Sequence, residues 1–159
     1  MKLRIICVGR LKERFYTDAV NEFRKRLSRF CELEIAELAD EKAPEKLSDA
    51  ELEGVKLAEG RRILAKLTDA DTVIALDIAG KQLSSPELTG QISAYMLEGK
   101  SRLAFIIGGS NGLSHEVLAR ADLRLSFSKM TFSHQIFRVM LLEQLYRAFK
   151  IMNGEPYHK

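Results

Sequence analysis

The chain has 159 residues, 46% hydrophobic and 30% charged, with 25 basic against 22 acidic side chains. That length is enough for one domain that buries most of its apolar surface, and the composition excludes a disordered chain. No apolar run approaches the about 20 residues that cross a bilayer. The net charge of +3 is too small for a protein that grips bare nucleic acid chiefly through its phosphates.

Leu3 to Val8 reads as a first strand; Arg4 inside it, and no small-residue cleavage site after it, set it apart from a secretory signal. A helix is expected from about Lys12 to Arg29, with Phe15, Ala19, Phe23, Leu27 and Phe30 along one side. Arg24, Lys25, Arg26 and Arg29 cluster on it, and three of the four, with Glu22, read as its solvated side. A second strand, Leu33 to Leu38, precedes a polar loop from Asp40 to Leu47. Ser48 and Glu51 form a capping pair that opens a helix to about Leu67. The third strand, Thr72 to Ile78, ends in a turn at Gly80-Lys81, and Ser84, Pro86 and Glu87 start a helix to Leu97. A fully apolar fourth strand, Leu103 to Ile107, is followed by a short helix, Ser114 to Ala121, and a fifth strand, Leu123 to Ser126. The last helix runs from His134 to about Met152, where Asn153-Gly154 and then Pro156 stop it.

Strands that are continuously apolar and alternate with helices predict an α/β fold: one domain, 1–159, with a parallel-rich sheet and helices on both faces. Phe137, Leu141, Leu142, Leu145, Ala148, Phe149 and Met152 give the last helix an apolar arc wider than one sheet contact uses. That width points to a homodimer packed by two-fold symmetry; burial against the helix's own sheet is the alternative. Cys7 and Cys31, both in apolar surroundings, suit a reduced cytoplasmic protein.

The chemistry concentrates between Leu103 and Phe132. An apolar strand running into Gly108-Gly109-Ser110-Asn111-Gly112 leaves main-chain groups bare at the carboxyl end of a sheet, where open α/β folds place their ligands. A plain Gly-rich turn is the competing explanation. Val8-Gly9-Arg10-Leu11 is not a dinucleotide fingerprint, and the glycine run lacks the Lys-Ser/Thr pair of a P-loop. His115, His134 and His158 lack metal-ligand spacing, so no metal is expected. A site of main-chain groups near Leu76, Gly108–Gly112 and the Phe127–Phe132 loop suits an adenosine moiety without a phosphate chain.

Several motifs together carry a family resemblance. They are Ile106-Ile107-Gly108-Gly109-Ser110-Asn111-Gly112, Leu125-Ser126-Phe127-Ser128-Lys129-Met130-Thr131, Leu145-Tyr146-Arg147-Ala148 and Pro156-Tyr157-His158. With Val8-Gly9-Arg10-Leu11-Lys12 and Asp40-Glu41-Lys42 of the first half, the whole chain resembles the bacterial 23S ribosomal-RNA pseudouridine N3-methyltransferases of the SPOUT superfamily. The resemblance implies S-adenosyl-L-methionine as methyl donor, a homodimer with packed C-terminal helices, and a C-terminal trefoil knot, which physical reasoning alone would not propose. It places cofactor contacts on Leu76, Gly108, Phe127, Ser128, Lys129, Met130, Thr131 and Phe132. Where the family usually has Thr-x-Pro-His, this chain has Thr131-Phe132-Ser133-His134, so Ser133 replaces a rigid helix entry with an N-cap.

Within that resemblance His158 is the candidate base for the N3 proton, because its ordinary pKa is about 6.5. A frayed terminus is its bland explanation. Tyr157 is the candidate to stack on the target base. Arg138 and Arg147 are candidates to hold a phosphate or a partner carboxylate, with a snorkelling core-edge arginine as the equal alternative for Arg138, and His134 is expected to bond nearby backbone. The weak basic excess favours 23S rRNA within the assembled ribosome as substrate. A non-catalytic ribosome-associated factor that binds an adenosine metabolite, and a methyltransferase of another RNA, stay open as alternatives.

Overall fold

The computed structural model describes residues 1–157. Five strands form one parallel sheet: β1 (Lys2–Val8), β2 (Glu32–Leu38), β3 (Thr72–Gln82), β4 (Arg102–Ile107) and β5 (Leu123–Ser126), in the spatial order β2-β1-β4-β3-β5. The five helices are α1 (Arg14–Leu27), α2 (Asp49–Leu64), α3 (Ser85–Leu97), α4 (His115–Arg120) and α5 (His134–Met152). The α/β architecture with helices on both faces is as the periodicity predicts.

Side chains alternate across each strand, so a strand covered on both faces is apolar at every position. In β1, Leu3, Ile5 and Cys7 join a core built with α1, α3 and α5, whereas Ile6 and Val8 pack toward α2 and α4. Serines cap four helices: the side chains of Ser48, Ser84, Ser114 and Ser133 accept the backbone N–H of Glu51, Glu87, Val117 and Ile136, and Ser114 stands before its helix rather than within it. Ser133, in the place of the family proline, therefore does cap α5.

Three expectations need correcting. Gly80-Lys81 is not the end of β3, which continues to Gln82 with a shift in register between Leu76 and Lys81 against β5. A Cβ on Gly80 would lie 2.6 Å from the Arg124 backbone, so this glycine permits the close approach of β5 rather than a chain reversal. Phe15 does not join the buried side of α1: it is 63% exposed, and Val20 and Leu27 are the residues that helix buries. The apolar arc of α5 is covered within the chain, because α5 lies between α1 and α3, with Leu141, Leu142, Leu145, Ala148 and Phe149 buried. The arc's width thus reflects three neighbours of the same chain. The one large apolar side chain left exposed on α5 is Ile136, at 40%; Val139 and Met140 beside it are partly buried.

Both cysteines are buried free thiols, and burial pushes Cys7 up to about 12 and Cys31 up to about 11. Among the described residues no helix is long and apolar enough to cross a membrane, and no group of side chains could hold a metal ion.

Candidate cofactor pocket

The stretch of β3 beyond its pairing with β4, and the segments that follow β4 and β5, enclose a cavity of about 410 Å³. Leu76, Asp77 and Ile78 form one wall, Gly108 to Leu113 except Asn111 the floor, and Phe127 to His134 except Lys129, with Phe137, the remaining side. The strand order fixes this place: β4 lies between β1 and β3, and β3 beside β5, so the loop after β4 meets β3 itself and the loop after β5.

Each glycine of the 108–112 loop has its own reason. A Cβ on Gly108 would stand 2.9 Å from the Leu113 side chain, and one on Gly109 would crowd Val8 and Glu59 at 3.2 and 3.3 Å. Gly112 adopts φ +85°, a left-handed conformation, and its N–H donates to Gly109 O at 3.1 Å. The loop is thus a tight turn as well as a pocket floor, and the two explanations of the glycine run are both true of it. On the opposite side Ser126 Oγ donates to Ser128 O, and Ser128 Oγ accepts the Met130 N–H, both at 3.0 Å. These bonds fold the 127–130 segment over the pocket and leave Met130 73% exposed.

Seven of the eight residues expected to touch the cofactor line the cavity: Leu76, Gly108, Phe127, Ser128, Met130, Thr131 and Phe132. Lys129 is outside the lining, its side chain in solvent. Tyr157 is also outside it. Its hydroxyl donates to Glu143 Oε1 at 3.1 Å, its ring meets Tyr146 edge-on, and the Arg147 guanidinium lies 4.7 Å from the ring centroid. His158 lies outside the described residues. A second cavity, of about 570 Å³, adjoins the first behind Phe127, Ser128 and Phe132 and is lined along α5 by Ile136, Val139, Met140 and Glu143.

The site includes two groups that sequence reasoning left unassigned or misjudged. Asp77 lines the cavity and receives Arg124 Nη2 at 2.6 Å and Nε at 3.0 Å. His134 also lines it, with its imidazole against Gly9 and no hydrogen-bond partner at the buried Nδ1, contrary to the expected bond to nearby backbone. Burial, aided by the Arg138 charge, lowers its pKa from the ordinary histidine value, which favours the neutral ring. Arg138 is not a phosphate ligand. It is 1% exposed and donates to Glu37 Oε2 at 2.6 Å and Gly9 O at 3.2 Å, tying α5 to the end of β1. Arg147 pairs with Glu143 one helical turn away. The signal that could have flagged His134 was its place at the start of the helix that follows the pocket loop.

The lining therefore offers apolar walls, main-chain groups, hydroxyls, one carboxylate and no lysine or arginine side chain among the described residues. A triphosphate needs cationic partners that are missing here. An uncharged nucleoside attached to a cationic sulfonium meets no like charge, so these residues fit S-adenosylmethionine.

The comparisons with known proteins agree with this chemistry. The family model described as "Predicted SPOUT methyltransferase" matches residues 1–158. Two proteins named ribosomal RNA large subunit methyltransferase H are similar over all of both chains: that of Clostridioides difficile (strain 630) at 57% identity and that of Clostridium beijerinckii at 55%. The solved structure of a probable methylase family protein from Haemophilus influenzae Rd KW20 superposes with a TM-score of 0.57 at 15% identity. It covers 99% of this chain and 70% of its own, a likeness of fold. A glycine-floored pocket at the switch of a parallel sheet, matched end to end by that family model, makes this chain a member of the SPOUT methyltransferase family.

Proposed function

We propose that the chain is an S-adenosyl-L-methionine-dependent methyltransferase of the large ribosomal subunit that methylates N3 of a pseudouridine in 23S rRNA. The observation that carries the cofactor reading is the cavity over Gly108–Gly112, whose lining among the described residues has a carboxylate and no lysine or arginine side chain. The full-length similarity to two large-subunit rRNA methyltransferases supports the substrate class. Such a substrate places the enzyme in the cytoplasm, and the trefoil knot of the family belongs to the same reading.

When bound, the cofactor supplies a methyl group made electrophilic by positive sulfur. The chain's work is then placement and proton removal. Leu76, Gly108 and the 127–132 segment hold the donor, with the Lys129 main chain rather than its ammonium facing that way. Phe127, Phe132 and Phe137 exclude water from the reacting centre. The target N3 enters with a proton and must lose it as the N–C bond forms. His158 is the base in this reading, and Tyr157 the platform for the target ring.

The enzyme works as a homodimer in this reading, with exposed Ile136 and the partly buried Val139 and Met140 along the second cavity as the surface for a second copy. In one chain Tyr157 rests on α5, away from the pocket, so Tyr157 and His158 serve the site of the other subunit. The test is incubation with labelled donor and unmodified 70S ribosomes, followed by mapping. Label on N3 of a 23S rRNA pseudouridine is expected. Label on another RNA overturns the substrate, and donor binding with no transfer at all overturns the catalysis. Mixed dimers of a His158→Ala subunit and a Gly108→Val subunit should recover about one active site per dimer; recovery of none places the tail in its own chain's site.

A further inference from the structure

Behind the glycine floor, one turn of α2 touches three separate parts of the molecule. Glu59 is 4% exposed. Its Oε2 accepts the backbone N–H of Glu41 at 2.9 Å, its Oε1 is buried with no partner, and both oxygens lie within 3.4 Å of where a Gly109 Cβ would stand. Gly60 meets Ser114, the cap of α4, so closely that a Cβ would be 2.3 Å from Oγ. Arg62 donates to Ala39 O at 3.0 Å and pairs with Glu41. The segment after β2 is thus moored to α2 at two points, and one mooring group fills the space under the pocket floor.

A buried carboxyl beside two other acids is a costly way to fill space. Burial raises the pKa of Glu59, and the Asp40 and Glu41 carboxylates raise it further, against the Glu41 N–H and the Arg62 charge, which lower it. An apolar side chain would fill the same volume without that cost, which indicates that the oxygen acceptor is the part that is needed. We infer that Glu59 is a positioning residue of the donor site: its carboxyl ties the 39–41 segment to the underside of Gly109, so the pocket floor and that segment hold one arrangement. The inference rests on the donor reading of the pocket. Supports of this kind matter because a floor displaced by about 1 Å costs a site much of its rate or affinity.

Three variants separate shape from bonding. Glu59→Gln keeps both the volume and an acceptor, Glu59→Leu keeps the volume alone, and Glu59→Ala keeps neither. Calorimetry with S-adenosylhomocysteine should show affinity within about twofold of wild type for Gln and about tenfold weaker for Leu and Ala. In the transfer assay the donor KM should rise with that loss, with kcat at saturating donor little changed. Ligand-free protein should also be cut by trypsin several-fold faster at Lys42 and Lys46 in the Leu and Ala variants only. Should the Ala variant fail to fold, the contrast of Gln with Leu carries the test. Equal affinity and equal cleavage in Leu and wild type, or Gln as impaired as Leu, would overturn the inference. Wild type that binds no donor would instead overturn the donor reading, and unchanged cleavage would then sink the tether as well.

Discussion

The two ends of the sheet treat buried polar groups in opposite ways. At the amino end, the Asp71 carboxylate has no exposed surface, yet every part of it is engaged. It receives the Thr68 N–H at 2.8 Å, the Thr68 hydroxyl and Arg4 at 3.1 Å, and Arg102 at 3.2 Å. At the carboxyl end lie all three buried side-chain atoms without a partner among the described residues: Glu59 Oε1, His134 Nδ1 and Arg138 Nε. Exposed Ile78 and Met130 stand at the same end. Buried polar groups are ordinarily satisfied, so unsatisfied ones gathered on one side mark where packing gives way to ligand binding. One end of the sheet satisfies its buried polar groups within the fold, and the other leaves three such atoms open among the described residues.

The largest effect that would sharpen this contrast is expected at Asp71. Replacement by Asn leaves Arg4 and Arg102 facing a neutral group at a buried site, and we expect a loss of about 3 kcal/mol in urea unfolding with donor affinity retained. Burial pushes the Asp71 pKa up, but the Thr68 bonds and Arg102 outweigh it and hold the pKa below its ordinary value. A lowered carboxyl pKa gives stability that is present above the unfolded value and lost as pH falls through the folded one. The Asn variant should therefore lose less stability than wild type below about pH 4.

At the opposite end, Gly108→Val should weaken donor binding by about 30-fold, or ~2 kcal/mol, because its Cβ displaces Leu113 and the Gly112 backbone. Its melting temperature should change less than that of the Asp71 variant. A smaller effect is expected from Gly112→Ala, which strains the φ of +85° and should cost about 1 kcal/mol by thermal unfolding. The smallest is a pH effect. A His134 pKa held below 6.5 means the unfolded chain takes up protons first, so stability declines as pH falls below 6.5, and His134→Gln should flatten that decline. An Asp71 variant that lost donor binding while Gly108→Val lost mainly stability would invert the comparison.

How far the residues reveal all this depends on whether a feature is local. The limits of β5 and α5 follow from periodicity and caps within a few residues, and both agree with expectation. Gly80 was misleading because a turn and a close strand approach both need a missing Cβ, and only the neighbour, Arg124, tells them apart. Phe15 fits the helical stripe on spacing, yet lies at the first turn of α1, where the chain leaves the sheet. In the pocket, the main-chain floor was legible from its glycines and the loop from its motif. Glu59 and Arg138 were not, since their partners lie 18 residues away at Glu41 and 101 away at Glu37. A buried charge is recognised from its partners, and those are set by the tertiary fold.

The burial of α5 between α1 and α3 has a consequence for biosynthesis. Leu141, Leu142 and Leu145 reach zero exposure only when this last described helix docks against a face formed by β1 and α1, the first elements made. Until then a nascent chain displays Leu3, Ile5 and Phe105 to solvent, and its earlier elements cannot settle as an independent unit. Truncation within α5 should therefore yield an aggregating chain rather than a smaller soluble one.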